Sequence, residues 1–561
     1  MLVEGTNSNT LRVVPMESPD PATRRLAMAD FAVAAATLLG LVGVALVLVA
    51  RGGVFFSQWS QDLFIPLEGV LHLYAGQWPH RDFVTPVGSL WYAINALPGL
   101  VMPISARVTV WANLIVALVA SFAALVVCLA RMPRWLAALC AFYVGLVALS
   151  PRQIGEDFQH ISNNASYNRT CWALICVIAL ASLIPSAHES RRRERVDGVV
   201  AGLLIAVCFY IKITYAAAGI GFLGLTLVTA RGMPGWRFVA VAGSVALTTV
   251  LAAGIATGDL PGYFADMHTA VAVLPDTARS HQAMQLLKAG LPGVVCVGVL
   301  ALLAGVRRDR LFDPFGPGLW AGLLTAAAGL AIGIQNYPEP ENPLLPVALL
   351  VGWMVARARP GGSTRFAEGL GLLAVCAGFL FPLATDLGAV GWTVIAPVDS
   401  GPATRWLSAT AVTDLRIGAR FTASKVPPHP EIPHSDAQIL ARWDEALGML
   451  RAHIHGRHDV IVLPLIWSNP FPLLLGLPPV RHEVAWWDPS RTFNTGLRPD
   501  PALLLGNVDF VLVPHNHAPG DTTEMMWAAY GARVEGDFRP ADHTRHWDLW
   551  ARQACARRSL C

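Results

Sequence analysis

Ser60-Gln61-Asp62, then Gly76-Gln77-Trp78-Pro79-His80-Arg81-Asp82-Phe83, then Pro86 and Gly88, make up the hydrophilic stretch that follows the first long apolar run, about Phe31 to Ala50. That run has the length needed to cross roughly 30 Å of hydrocarbon. A carboxylate placed where such a helix leaves the bilayer is costly unless it has a role. Asp62 stands alone there, with Leu63 beside it. The chain therefore enters a membrane early, and the loop at its surface carries an acid and a compact Arg-Asp-Phe turn.

Composition agrees. The chain has 561 residues, 54% hydrophobic and 14% charged, with a mean hydropathy of +0.48. Soluble domains carry roughly 25% charged residues, so a polytopic membrane protein is expected. The net charge of +3 says little by itself. Of the nine cysteines, Cys128, Cys140, Cys171, Cys176, Cys208, Cys296 and Cys376 lie in apolar runs and read as packing residues, while Cys555 and Cys561 could pair if the tail faces an oxidising compartment. No CxxC and no zinc-ligand spacing is present. Residues 1–28 are polar and carry Arg12, Arg24 and Arg25. They lead into a retained first helix rather than a cleaved signal peptide.

Working outward, apolar runs of span length recur near 29–50, 106–130, 135–150, 170–184, 198–212, 214–230, 237–256, 291–306, 317–334, 343–356 and 366–388. The run from Gly198 to Ala230 would be about 50 Å long as a single helix, too long for one crossing, and reads as a hairpin with Lys212 at its tip. Basic residues then set the orientation. Alternate loops hold Arg12, Arg24 and Arg25; Arg131 and Arg134; Arg191, Arg192, Arg193 and Arg195; Arg231 and Arg237; Arg307, Arg308 and Arg310; and Arg357, Arg359 and Arg365. The opposite loops hold only scattered ones. The expectation is about eleven transmembrane helices with the N-terminus cytoplasmic. The loop 51–105 and everything after residue 388 then face outward. The segment Leu90 to Met102, interrupted by Asn95 and Pro98, reads as an interfacial helix with Trp91 and Tyr92 at headgroup level.

Residues 389–561 have a different character. An amphipathic helix is expected over 436–455, buried strands over Asp459–Leu465 and Val508–Pro514, a helical stretch near Thr522–Tyr530, and extended pieces over Ala532–Phe538 and His546–Trp550. This is a small α/β soluble domain. It has no Ser-His-Asp pattern, Gly-rich phosphate loop or paired-carboxylate motif, which disfavours a nucleotide-sugar transferase with its active site there.

The loop of Asp62, Gly76, Pro79, Arg81, Asp82 and Phe83 resembles the first external loop of the GT-C glycosyltransferases, of the protein mannosyltransferase and aminoarabinose transferase type. These take a sugar from a polyprenyl-phosphate carrier. In that superfamily the loop begins with an acid at the membrane surface and runs to a Gly-x-x-Pro-x-Arg-Asp-Phe-like turn. The resemblance implies a GT-C-like transmembrane domain over 29–388 with the catalytic loop in 51–105, followed by an extracytoplasmic domain. It implies Asp62 as the base that deprotonates the acceptor hydroxyl, in a single inverting transfer of a hexose or pentose. The partners implied are a polyprenyl-phosphate sugar donor, membrane lipids, and a glycan, lipid or protein acceptor of the cell envelope; no nucleic acid is expected. Many members carry a second acid next to the first. Leu63 occupies that place here, a departure that counts against a paired-carboxylate or metal-binding version of the reaction.

Other outward groups complete the set of candidates. Arg81 suits a phosphate oxygen pair, or it pins the turn through Asp82. Lys212, between two apolar runs, either snorkels or meets the lipid-linked phosphate. Tyr167 and Arg169 stand at the start of a span after the polar loop 151–168, and sugar sites are built from such aromatics, amides and charges. Tyr337 and Glu341 belong to the proline-rich loop 335–343, where Glu339 and Glu341 leave a divalent cation open; no other cofactor and no metal set is expected. The loop from about 258 to 285, with Asp266 and His268, has the length of a flap. The competing reading is a transporter or flippase for a lipid-linked saccharide, or a non-catalytic scaffold on the same fold. Against transport, the ionisable groups gather at the outer rim rather than mid-membrane.

Overall fold

The computed structural model describes residues 21–57, 60–162, 165–186, 190–229, 234–274, part of 284–298, 317–335, 341–357, 365–398, 415–417, 436–489, 491–515 and 521–553. The protein is a multi-pass helical membrane protein with a small mixed-sheet domain at its C-terminal end. Among the described residues, five helices are long and apolar enough to cross a membrane. They lie within α1 (Pro21–Val49), α4 (Arg107–Cys128), α6 (Ser166–Leu183), α9 (Pro234–Thr257) and α13 (Arg365–Ile395). The shorter α5 (Arg134–Leu149), α8 (Ile213–Thr229), α11 (Pro317–Gln335) and α12 (Leu345–Arg357) are also apolar, and α7 (Arg191–Ile211) carries its arginines in the first turns. Each coincides with an expected span; the span expected near 291–306 lies largely outside the described residues.

The core centres on α6. It packs against α4, α5, α7, α8 and α12, and every residue of it except Tyr167 is buried. Only 22% of the α1 window and 17% of the α9 window are buried, so these are peripheral helices. Leu247, Leu251 and Ile255 of α9 point outward, an apolar stripe suited to lipid. The long run after Gly198 breaks where the hairpin is expected. Lys212 adopts an extended conformation between α7 and α8, and the two helices pack together.

The loop after α1 has structure of its own. Strand β1 (Val54–Phe56) leads into a 3-10 turn, Ser60–Leu63, then α2 (Phe64–Tyr74) and α3 (Ser89–Gly99). The interfacial reading of α3 needs correction at its N-terminal end. Trp91 and Tyr92 are buried, while Leu97, Leu100 and Val101 are the exposed apolar residues. The aromatics are drawn inward because Tyr92 meets Phe83 and Trp91 meets Tyr167, both edge to face. Helix α10 (Leu260–Ala272) takes up much of the stretch read as a flap.

The C-terminal domain is built on a four-stranded sheet of β3 (Val462–Pro464), β4 (Phe510–Pro514), β5 (Phe538–His543) and β6 (Trp547–Arg552), in the order β3-β4-β6-β5. The β3–β4 pair is parallel and the others are antiparallel. Helices α14 (Asp436–Ile454), α15 (Phe471–Leu475), α16 (Pro501–Leu505) and α17 (Thr522–Asp537) accompany it. One expected strand is wrong: Ala532–Asp537 continues α17, and the strand starts at Phe538. Asp521 caps that helix by accepting from the Glu524 amide. Its last turn buries Val534 and pairs Arg533 with Asp537 at 2.6 Å, the i,i+4 spacing that a helix brings together and a strand keeps apart. Strand β1 also pairs in parallel with β2 (Leu415–Ile417), joining the segment after α1 to one that follows α13.

Candidate functional site

Asp62 sits in the 3-10 turn at the entry to α2. It is 5% exposed, and its neighbours Leu63 and Phe64 are sunk in the core. Phe64 meets Trp443 of α14 edge to face at 5.2 Å. Ser468 Oγ donates to the Gln61 carbonyl at 3.1 Å, so the acid-bearing turn is clasped by the C-terminal domain. Gln61 opens on a cavity of about 270 Å³ lined by Trp443, Trp467, Trp547, Arg442, His515 and Asp521, among others. A wall of three indoles with charged groups at its edge suits the alternating apolar and hydroxyl faces of a sugar.

The Arg-Asp-Phe turn is fastened on two sides. Asp82 Oδ2 accepts from the Trp78 amide at 2.7 Å and from Arg81 Nε at 3.1 Å. Burial pushes the Asp82 carboxyl up, but the Trp78 N–H and Arg81 outweigh it and hold it below the ordinary value. Asp82 is thus occupied as the lock of the turn, whereas the Arg81 side chain is 56% exposed. Toward the C-terminal domain, the His482 amide donates to the Asp82 carbonyl at 2.7 Å. Val84 exchanges backbone bonds with Glu483 and Ala485 at 2.9 Å each. Toward the membrane domain, Asp266 of α10 lies 2.7 Å from His80 Nδ1 and accepts from the Thr85 amide. Asp259 accepts from Trp78 and Ser89. Asp266, from the stretch read as a flap, and Asp259 beside it are anchors for the loop.

Lys212 and Tyr167 come together. Lys212 Nζ donates to Asn168 Oδ1 at 2.9 Å and stands 5.0 Å above the Tyr167 ring. Tyr167 stacks on Trp486 of the C-terminal domain at 6.4 Å and meets Trp91 of α3 at 5.3 Å. The loop reaches the same corner, since the Gly88 amide donates to the Ile211 carbonyl at 2.8 Å. Membrane domain, outer loop and C-terminal domain thus converge on one ammonium group.

Arg169 and Glu341 also meet, in a separate buried network. Arg152 binds Glu341 at 2.7 Å and Asp386 at 3.0 Å. Arg169 lies 3.5 Å from Asp386 and donates to the Val147 and Arg152 carbonyls. Burial raises the Glu341 carboxyl, but Arg152, Arg169 and the Gly155 amide outweigh it and hold it below the ordinary value. Tyr337 lies outside the described residues.

Sequence reasoning missed one cluster entirely. Glu68 and His72, one turn apart on α2, face Glu483 of the C-terminal domain, and all three are buried. Burial and the opposing Glu483 carboxylate push the Glu68 carboxyl well above the ordinary value. The i,i+4 spacing of an acid and a histidine in the loop after the first span was the available signal. The third member lies too far along the chain to be read with it.

No protein family matches the chain, and no curated protein matches it. Solved structures that align with it include ArnT from Cupriavidus metallidurans bound to undecaprenyl phosphate, at 13% identity and a TM-score of 0.46 over 92% of this chain and 98% of that one. The arabinofuranosyltransferase AftD from Mycobacteria aligns at 13% identity and 0.40 over 95% and 42%. The archaeal oligosaccharyltransferase AglB from Archaeoglobus fulgidus, in complex with an inhibitory peptide and a dolichol-phosphate, aligns at 11% identity and 0.35 over 85% and 69%.

Proposed function

We propose that the chain is an integral-membrane glycosyltransferase. It moves a sugar from a polyprenyl-phosphate carrier to an acceptor of the cell envelope, at the outer face of the cytoplasmic (inner) membrane. The observation that carries the reading is the placement of Asp62. A nearly buried carboxylate closes a turn beside a sugar-sized aromatic cavity, in the loop whose sequence resembles the catalytic loop of GT-C enzymes.

In this reading the acceptor hydroxyl gives its proton to Asp62 as its oxygen attacks the anomeric carbon. The bond from that carbon to the phosphate oxygen breaks, and the lipid phosphate leaves with the bonding electrons, inverting the configuration. Lys212 and the exposed Arg81 meet the charge that develops on the phosphate. Tyr167, Trp91 and Trp486 shape the wall beside Lys212. Arg169 and Glu341, held by Arg152 and Asp386, position the start of α6, which carries Tyr167 and Asn168. The arginine-rich loops support a cytoplasmic N-terminus and an extracytoplasmic C-terminal domain. The test is release of free lipid phosphate by purified protein in lipid, offered a panel of polyprenyl-phosphate sugars with membrane extract as acceptor. Release with one donor supports a transferase. Lipid binding without release from any donor moves the reading to a transporter or scaffold.

A further inference from the structure

We propose that Glu68, His72 and Glu483 hold a divalent transition-metal ion of the zinc class, which clamps α2 to the C-terminal domain. The side chains are 3%, 1% and 1% exposed, and their ligand atoms all lie within 4.8 Å of one another.

The hydrogen bonds around His72 demand a positive charge at this point. Gln77 Nε2 donates to the Pro479 carbonyl at 3.2 Å, which turns Gln77 Oε1 toward His72 Nδ1 at 2.7 Å. An amide oxygen only accepts, so Nδ1 carries the hydrogen, and in the neutral ring Nε2 presents its lone pair. That lone pair faces Glu483 Oε1 at 3.1 Å. Two acceptors at this distance repel, so the contact needs either a shared proton, as an imidazolium–carboxylate pair, or a metal ion held by both, and the surrounding oxygens favour the metal. Ligand atoms roughly 2.1 Å from one metal ion stand about 3.0–3.4 Å apart, which matches.

Two further groups point the same way. Asn469 Oδ1 is a buried oxygen without a hydrogen-bond partner, the Asn469 amide donates to Glu68 Oε2 at 3.2 Å, and the Glu68 carboxyl stands within hydrogen-bond reach of the Glu483 carboxyl. Two carboxylates and a neutral imidazole sum to the charge that a divalent ion cancels. Gln77 supplies the outer contact that ligating histidines ordinarily have. His72 is further fixed by stacking on Phe83 at 4.3 Å, so the ion would tie α2, the Arg-Asp-Phe turn and the Pro479–Ala485 strap into one unit. This inference does not rest on the proposed reaction.

The experiment is elemental analysis of the full chain, purified in detergent without chelator, together with its melting temperature. About one equivalent of a zinc-class metal per chain is expected. A chelator lowers the melting temperature by several degrees, and added Zn²⁺ restores it. Glu483→Gln, which keeps the side-chain shape, and His72→Ala lose the metal. His543→Ala, in the more exposed group of His515, His543 and Asp548, keeps it. Three results overturn the proposal: a metal-free wild type whose melting ignores chelator and Zn²⁺, which leaves a shared proton in the cluster; metal retained by both Glu483→Gln and His72→Ala; or metal lost in His543→Ala instead. Should a variant fail to fold, the wild-type metal content and its chelator response still decide.

Discussion

Asp488 shows at the scale of one residue what burial does to a charge in this protein. It is 9% exposed, and burial pushes its carboxyl up to about 6 despite Arg491 nearby. The folded state therefore binds the proton more tightly than the unfolded chain, and stability falls as pH rises from about 4 through 6. Asp488→Asn should stabilise the protein at pH 7 by up to about 3 kcal/mol, the free energy of holding a carboxyl at about 6 rather than about 4 with Arg491 already counted. The gain should vanish at pH 4; thermal melts at the two pH values check it, and an equal gain at both would refute it. Lys212 provides the second case. Its ammonium faces Asn168 and Tyr167, and Lys212→Ala should weaken binding of the lipid-linked donor about 10–100-fold, the size of one charge-assisted bond. Titration of donor into the purified variant checks this, and unchanged affinity would leave Lys212 a structural plug. Lys212 stood out in the sequence because it interrupts an apolar run, and Asp62 and Tyr167 because each lies in a polar stretch next to one. Glu68 and His72 were hidden because His72 meets Glu483 across 411 residues of sequence, a separation no local pattern bridges.

At the scale of elements, the fit between α3 and α7 depends on a missing side chain. A Cβ at Gly88 would lie 2.1 Å from the Tyr210 carbonyl oxygen, which is backbone and cannot step aside. Gly88→Ala should cost about 2 kcal/mol or more and lower the melting temperature. Gly43→Ala in α1, with nothing within 4 Å, should leave stability unchanged or raise it. Equal melting of the two variants would mean that the α3–α7 contact is soft. Helix positions in the membrane were readable from apolar length alone, because a bilayer leaves the backbone few other choices. The last turn of α17 was not. Ala532 to Asp537 has no period strong enough to separate helix from strand, and the decision falls to the Asp521 cap and the Arg533–Asp537 pair. The burial of Trp91 and Tyr92 was equally unreadable, since it depends on Phe83 and Tyr167 reaching them from other segments.

For the whole molecule, the arginine asymmetry yields a topology that can be tested directly. A cysteine at Arg457, whose side chain is 52% exposed, should react with a membrane-impermeant thiol reagent added outside cells. One at the exposed Arg191 should react only after permeabilisation, both in a background with Cys555 and Cys561 replaced by serine. The reverse pattern would invert the protein. The C-terminal domain clasps the Asp62 turn, through Ser468 on Gln61 and Trp443 on Phe64. The Asp62 turn and the cavity beside it thus depend on both halves of the chain being in place. The decisive measurement is lipid-phosphate release from a polyprenyl-phosphate sugar by wild type and Asp62→Asn side by side, with binding of the lipid carrier measured in parallel. Release should fall by about 10²–10⁴-fold in the variant, the contribution of a general base, while carrier binding is retained. Unchanged release from Asp62→Asn would contradict the assignment of Asp62 as the base.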